Sequence, residues 1–175
     1  MKENINRGSS VLKIGDKIFL ANYGAGVVKE VGLINNISEK EEYIKIFLVF
    51  DKMSIFLPKN KLSTCKYRKI SSKEDMKKNI EIIFSEPENI EKNWNARYRK
   101  NRERLHGVNI NSICCALRDL YFLKMRLMLP QGEEKILERA EGLVVSEISM
   151  VMNLKYSEAL EKLRNENILK EMNNL

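Results

Sequence analysis

The first third of the chain alternates apolar and polar residues in short runs, a pattern typical of β-strands. Gly24 and Gly26 follow the first run and indicate a tight turn, since glycine permits positive φ or a close backbone approach. Pro58 ends the last run, because proline cannot donate to a strand ladder. Short strands of this kind usually close on themselves, so we predict a small SH3-like or Tudor-like β-barrel over residues 11–70. Its strands are expected within 11–20, 27–37, 42–50 and 53–57, with a polar hairpin tip at 38–41.

From Ser72 onward the apolar residues recur at helical spacing. Ser72 is followed three residues later by Asp75, which resembles a helix N-cap, and Asn93 and Asn109 can cap two further helices. Five helices are predicted, and the second covers residues 94–105 and ends at Gly107. The predicted fold class is therefore α+β with two domains. The β-barrel at 11–70 is followed, through a connector near 60–72, by an all-α helical bundle at 71–172.

Composition narrows the class of protein. The chain has 175 residues, of which 43% are hydrophobic and 31% charged, as in a globular protein rather than a disordered one. No apolar run reaches the roughly 20 residues that span a bilayer, and the first ten residues lack the apolar stretch of a secretory signal. A cytoplasmic protein without a membrane partner is expected.

The residues that usually carry catalysis or bind metals are scarce. The single histidine, His106, supplies neither a paired-histidine metal site nor a hydrolase dyad. Its place near a helix C-terminus suits a capping role. The three cysteines, of which Cys114 and Cys115 are adjacent, make a poor disulfide framework and are expected to be reduced. We predict that the protein is not an enzyme and uses no cofactor, metal or small-molecule substrate.

Charge is concentrated in one segment. The net charge is +7, and residues 92–104 hold six cations against one acid. That segment also contains Trp94, the only tryptophan in the chain. On a helix, Trp94, Arg97 and Tyr98 would share one face, and Arg97, Lys100 and Arg104 one edge. Two interpretations stay open at this point: nucleic-acid binding by cations and a flat ring, or a core tryptophan beside a solvated basic face.

Two groups of motifs resemble a known family. Residues 14–18 (IGDKI) and 22–28 (NYGAGVV) are similar to the opening of the RNA-polymerase-interacting domain shared by CarD-type regulators and transcription-repair coupling factors. Residues 93–98 (NWNARY) with Leu105, then 117–120 (LRDL) and Gly132-Glu133, are similar to the CarD C-terminal domain. The resemblance covers about residues 12–153, and the order and spacing of the motifs make it specific.

The resemblance implies partners and roles that composition does not show. The barrel would bind the β subunit of RNA polymerase, and the helical domain would contact promoter DNA at the upstream edge of the transcription bubble. Trp94 would be the residue that wedges into the distorted minor groove. Some family members present arginines to the polymerase where this chain has Ile34 and Phe56, so the resemblance implies that these two residues bind the polymerase through a more apolar contact. The predicted DNA-binding residues are Trp94, Arg97, Tyr98, Arg99, Lys100 and Arg104.

The prediction is thus a non-enzymatic regulator of transcription initiation that stabilises the promoter open complex. We expect it to be a monomer, associated with the nucleoid through RNA polymerase. The alternative is a protein-only interaction module without direct DNA contact, in which Trp94 belongs to the core. An enzyme of unknown type is a further alternative, and it would need a cleft with perturbed carboxylates.

Overall fold

The computed structural model describes residues 12–35, 40–166 and 168–169, and a β half is followed by an α half. This confirms the α+β class, and the five predicted helices are all present. The strands are β1 (Lys17–Leu20), β2 (Gly24–Asn35), β3 (Lys40–Leu48), β4 (Met53–Pro58) and β5 (Tyr67–Lys69), with a short 3₁₀ helix at Lys59–Thr64. The helices are α1 (Lys73–Ile83), α2 (Trp94–Leu105), α3 (Ile110–Met125), α4 (Gln131–Met152) and α5 (Tyr156–Arg164).

The strands form one antiparallel sheet in the order β4-β3-β2-β1-β5. β4 ends at Pro58, as predicted. The sequence prediction missed β5, which lies in the predicted connector and pairs with β1 through Arg68 and Phe19. Within the described residues β4 and β5 are not paired, so closure of the sheet into a barrel stays a prediction. The predicted hairpin tip at 38–41 lies partly outside those residues.

Successive side chains along the strands point to opposite faces of the sheet, and the two faces contribute to two different hydrophobic cores. Ile18, Val28 and Ile46 point into a small core of the β half. Phe19 and Ala25 point the other way and join the large core built by the helices. One continuous cluster therefore runs from the sheet into the bundle, and the domain boundary near residue 70 stays a prediction.

The glycine-containing turn between β1 and β2 is a tight turn, as predicted, and α4 packs directly on it. Gly24 has φ +82°, and a Cβ atom there would lie 2.6 Å from Ser146 Oγ. The absence of that atom lets the Ala25 N–H donate to Ser146 Oγ at 2.9 Å. Glycine is thus required here both by backbone conformation and by the close approach of a helix.

A buried ion pair joins the two halves. The Glu147 carboxylate on α4 is fully buried. It accepts hydrogen bonds from both terminal nitrogens of Arg68, each at 2.7 Å, and from the Ser71 backbone N–H (2.7 Å) and hydroxyl (2.8 Å). The Arg68 guanidinium also lies 4.6 Å from the centre of the Phe19 ring. These contacts hold the end of the β half against the middle of α4.

The starts of α1 and α3 carry the predicted caps. The Ser72 hydroxyl accepts from the Asp75 N–H at 3.1 Å, and the Asn109 side chain accepts from the Ser112 N–H at 3.1 Å. The three cysteines are free, and burial raises the pKa of Cys114. In the part of the chain that is described, no helix has the length and apolar character to cross a bilayer.

The last helix is anchored to the bundle through Glu141. Tyr121 donates to this carboxylate at 2.5 Å from α3, and Arg164 donates at 2.6 Å from α5. Burial acts to raise the pKa of Glu141, but the hydrogen bonds from Arg164 and Tyr121 outweigh it and lower the pKa below its ordinary value. Three helices are thereby held by one charged side chain.

Candidate nucleic-acid interface

Helix α2 presents the tryptophan at its first position. The Asn93 side chain caps the helix by accepting from the N–H groups of Asn95 (3.0 Å) and Ala96 (3.2 Å). Trp94 is 51% exposed. The expectation that Trp94 belongs to the bundle core is therefore wrong, whereas a protein-only interaction module stays an open alternative. A half-exposed indole at a helix start is available to stack on, or insert between, bases.

Arg97 is not on the same open surface. Its side chain is 8% exposed and forms an ion pair with the fully buried Glu133 at the start of α4. Arg97 Nη2 lies 2.5 Å and Nε 3.0 Å from the carboxylate oxygens, and Nη1 donates to the Glu91 carbonyl at 2.7 Å. We correct the prediction on this point: Arg97 joins the first turns of α2 and α4, and we leave it out of the proposed DNA-contacting surface.

The predicted edge of Arg97, Lys100 and Arg104 is likewise divided by packing. Lys100 is exposed, whereas Arg104 donates to Asp119 of α3 at 3.3 Å and is half-buried. Arg99 is exposed and Tyr98 is half-buried. The residues of the predicted site that remain accessible are therefore Trp94, Tyr98, Arg99 and Lys100, with Arg104 held by an acid.

A groove of about 350 Å³ runs between α2 and α4. Tyr98, Arg102 and His106 line it from α2, at one-turn intervals, and Lys135 and Arg139 line it from α4. Trp94 is one turn before Tyr98 on the same helix. Asn22, Leu105 and Ile136 complete the lining. We call this cavity the basic groove, after Arg102, Lys135 and Arg139.

A second cavity, of about 430 Å³, adjoins the basic groove because Arg102 and His106 line both. Lys66 and Arg99 add two further cations, and Glu103 is the acid of this lining. His106 also caps α2, as predicted. Together the two cavities place cations from α2, α4 and the β half along one surface.

Most of these cations are not neutralised internally. Arg139 is the exception, since it donates to Asp51 at 3.3 Å and to the Asn22 carbonyl. Among the described residues, Lys66, Arg99, Arg102 and Lys135 have no ion pair. Unpaired cations in a groove of this size can bind phosphates. Four of these cations were not among the predicted DNA-binding residues: Lys66, Arg102, Lys135 and Arg139. Arg102 lies in the predicted basic segment, whereas no local signal indicates that the other three lie near α2.

The β half has a separate exposed surface at the β3–β4 edge. Phe56 is 54% exposed, with Tyr43 at 5.4 Å between ring centres and Lys45 Nζ 5.5 Å from the Phe56 ring centre. Tyr43 donates to Glu30 at 2.5 Å, and this hydrogen bond raises the pKa of Tyr43. We call Tyr43, Lys45 and Phe56 the aromatic face. Ile34 belongs to β2, but its side chain lies outside the described residues.

Comparison with known proteins identifies the class. The family model described as "CarD-like/TRCF RID domain" matches residues 12–71, and "CarD, C-terminal domain" matches residues 78–164. "Putative transcription factor YdeB" of Bacillus subtilis (strain 168) is 23% identical over 144 residues, which cover 82% of this chain and 94% of that relative. These matches define a CarD-like transcription regulator, a class that is regulatory rather than enzymatic. The chain belongs to the CarD family, which confirms the resemblance of its motifs.

Proposed function

We propose that this protein regulates transcription initiation by binding the β subunit of RNA polymerase through its β half and promoter DNA through α2. The observation that carries the proposal is the exposed Trp94 at the start of α2, one turn from a groove whose cations Arg102 and Lys135 have no ion pair among the described residues. The DNA-contacting surface comprises Trp94, Tyr98, Arg99, Lys100, Arg102 and Lys135.

The two surfaces lie on different parts of one molecule. The aromatic face is at the β3–β4 edge of the sheet, whereas the helices pack on the side of β1 and β2. Polymerase bound at the aromatic face would leave the basic groove open to DNA. Attachment to polymerase would also raise the effective concentration of the groove at any occupied promoter.

The expected consequence is a shift toward the open complex. An indole that fits between bases only where the duplex is distorted binds the open state more tightly than the closed state. Such a difference in affinity moves the equilibrium toward the open state. Contacts to phosphates and to deformable steps need no base-specific readout, so the protein would act at many promoters. We propose that it does so as a cytoplasmic monomer.

Trp94→Ala is expected to shorten the lifetime of the promoter open complex about tenfold, since base–aromatic stacking contributes about 1–3 kcal/mol. Open-complex decay after competitor addition measures this effect, with polymerase capture measured in parallel. Polymerase capture should be unchanged in Trp94→Ala. The control is Ile14→Ala, which changes an exposed apolar residue of the β half and should leave the open-complex lifetime as in wild type. Equal lifetimes for Trp94→Ala and wild type would favour the protein-only module instead.

Phe56→Glu is expected to weaken capture of the polymerase β subunit about tenfold or more, because buried aromatic anchors dominate interface energies. A pull-down with the full chain and purified polymerase measures the change. Tyr23→Glu is the control, as Tyr23 is an exposed aromatic residue of the β half outside the aromatic face. Loss of capture in both variants, or in neither, would contradict the assignment of this face.

A further inference from the structure

Three exposed apolar side chains lie at the end of α3 and in the turn before α4, and they belong to neither hydrophobic core. Met125 is 75%, Leu127 95% and Met128 63% exposed. We call these three residues the apolar tip. Exposed apolar side chains are common when they are scattered singly, but a group of them usually marks an interaction site.

The tip is an ordered helix end. The Met128 N–H donates to the Leu123 carbonyl at 2.8 Å, and the Leu127 N–H donates to the Lys124 carbonyl at 3.0 Å. These two bonds form a Schellman motif at the end of α3, in which the residue in the left-handed region is usually glycine or asparagine. Here that residue is leucine, with φ +55°.

The fold therefore gives no reason for a leucine at position 127. A side chain with positive φ is disfavoured, and an apolar side chain in water gains nothing from burial. The end of α4 offers a comparison within the chain, because the residue in the left-handed region there is Asn153, with φ +56°. After α5 the residue in the left-handed region is Glu166, with φ +57°, which is charged and exposed. Of these three helix ends, the end of α3 is therefore the one that places an apolar side chain in water.

The apolar tip lies at the Trp94 end of the molecule. The Arg97–Glu133 ion pair holds the first turn of α2 against the first turn of α4. Trp94 is the first residue of α2, and the tip leads directly into α4, which begins at Gln131. Trp94 and the apolar tip therefore lie at the same end of the helical half.

Charge beside the tip favours a polyanionic partner. From Lys124 to Gly132 the chain carries two cations, Lys124 and Arg126, and no acid. Both are exposed, and the Arg126 guanidinium lies 4.4 Å from the centre of the Phe122 ring. Apolar side chains flanked by cations are the composition that proteins use to insert between the bases of a bent or unpaired duplex.

We propose that Leu127 and Met128 form a second insertion element, which contacts exposed bases of distorted DNA beside Trp94. This inference rests on the proposed function, because it assumes that the α2 end of the molecule contacts DNA. The partner is DNA with unstacked bases, and the flanking cations bind its phosphates.

The test compares the double variant Leu127→Asn/Met128→Gln with the wild-type chain. Fluorescence anisotropy at low salt measures binding to a synthetic duplex with unpaired bases at one end, and to a fully paired duplex of equal length. We expect the variant to lose about tenfold in affinity for the forked DNA, equivalent to about 1.4 kcal/mol, and much less for the paired duplex. Its melting temperature should equal or exceed that of wild type, because asparagine tolerates positive φ.

Controls separate this inference from the proposed function. Ile14→Asn removes an exposed apolar residue of the β half and should bind both DNAs as wild type does. Wild-type affinity of the tip variant for forked DNA, together with a loss in Trp94→Ala, would overturn the insertion element alone. If Trp94→Ala also binds as wild type, or if wild type binds neither DNA, both proposals fail. Self-association of wild type in sedimentation that the tip variant abolishes would make the tip a contact between copies and overturn the inference.

Discussion

Glu133→Ala is expected to lower the free energy of unfolding by about 3–5 kcal/mol, the usual cost of removing one partner of a buried ion pair. The Arg97 guanidinium would stay buried without its carboxylate, since its side chain is only 8% exposed. Chemical denaturation followed by circular dichroism measures the loss. A change below about 1 kcal/mol would show that Arg97 reaches solvent once the carboxylate is gone.

The same helix turn supplies the matched control. Glu134 is adjacent and exposed, so Glu134→Ala should change stability by no more than about 0.5 kcal/mol. The double variant Arg97→Met/Glu133→Leu should recover most of the stability, because apolar residues often replace a buried pair at little cost. Failure of the double variant to recover would indicate that the Glu91 carbonyl, which Arg97 also binds, matters as much as the charge.

Glu147→Ala is expected to lower the free energy of unfolding by about 3 kcal/mol and to loosen the β half from the helices. The variant removes the charged acceptor of the Arg68 guanidinium, which keeps only the Val108 and Lys69 carbonyls. It also leaves the Ser71 N–H without its acceptor. We place the loss at the low end of the range for buried pairs, because the Arg68 side chain retains 20% exposure.

Hydrogen exchange distinguishes loosening from uniform destabilisation. In wild type, the amides of β1 and of α4 should open in one cooperative unit, because they share a core. In Glu147→Ala, β1 and β5 should exchange faster than α4. Glu138→Ala, an exposed position on α4, is the control and should leave both rates unchanged. Equal acceleration in β1 and α4 would show that Glu147 stabilises the bundle without joining it to the sheet.

Both variants also bear on regulation. The Arg97–Glu133 pair joins the helix that begins at Trp94 to α4, which lines the basic groove, and Glu147 joins α4 to the end of the β half. Under the proposed function, in which the protein bridges polymerase and DNA, its action depends on that geometry. We therefore expect each variant that still folds to capture polymerase normally but to stabilise the open complex less than wild type does.

Local signals in the sequence were enough to predict that five helices exist and to give the bounds of α2. α2 begins after Asn93 and ends before Gly107, as predicted, because a capping side chain and a helix-ending residue act within one turn. The family could also be recognised from short motifs, because the order and spacing of these motifs can be read directly from one sequence. The exposure of Trp94 was left open by the residues alone, because an indole at a helix start suits a core and a surface equally.

Only the tertiary structure decided which cations are free. Arg97 and Arg99 are two residues apart on one helix, yet one is buried against Glu133 and the other faces solvent. Glu133 lies 36 residues away in sequence, so no local pattern links it to Arg97.

The same distinction explains β5 and the groove. The three residues of β5 form a strand because β1 supplies their hydrogen-bond partners, and Lys135 joins the groove because α4 packs beside α2. Whether a segment forms a helix or a strand depends largely on its neighbours in sequence, and these can be read from the sequence itself. The composition of a surface depends on neighbours in space, which packing alone brings together.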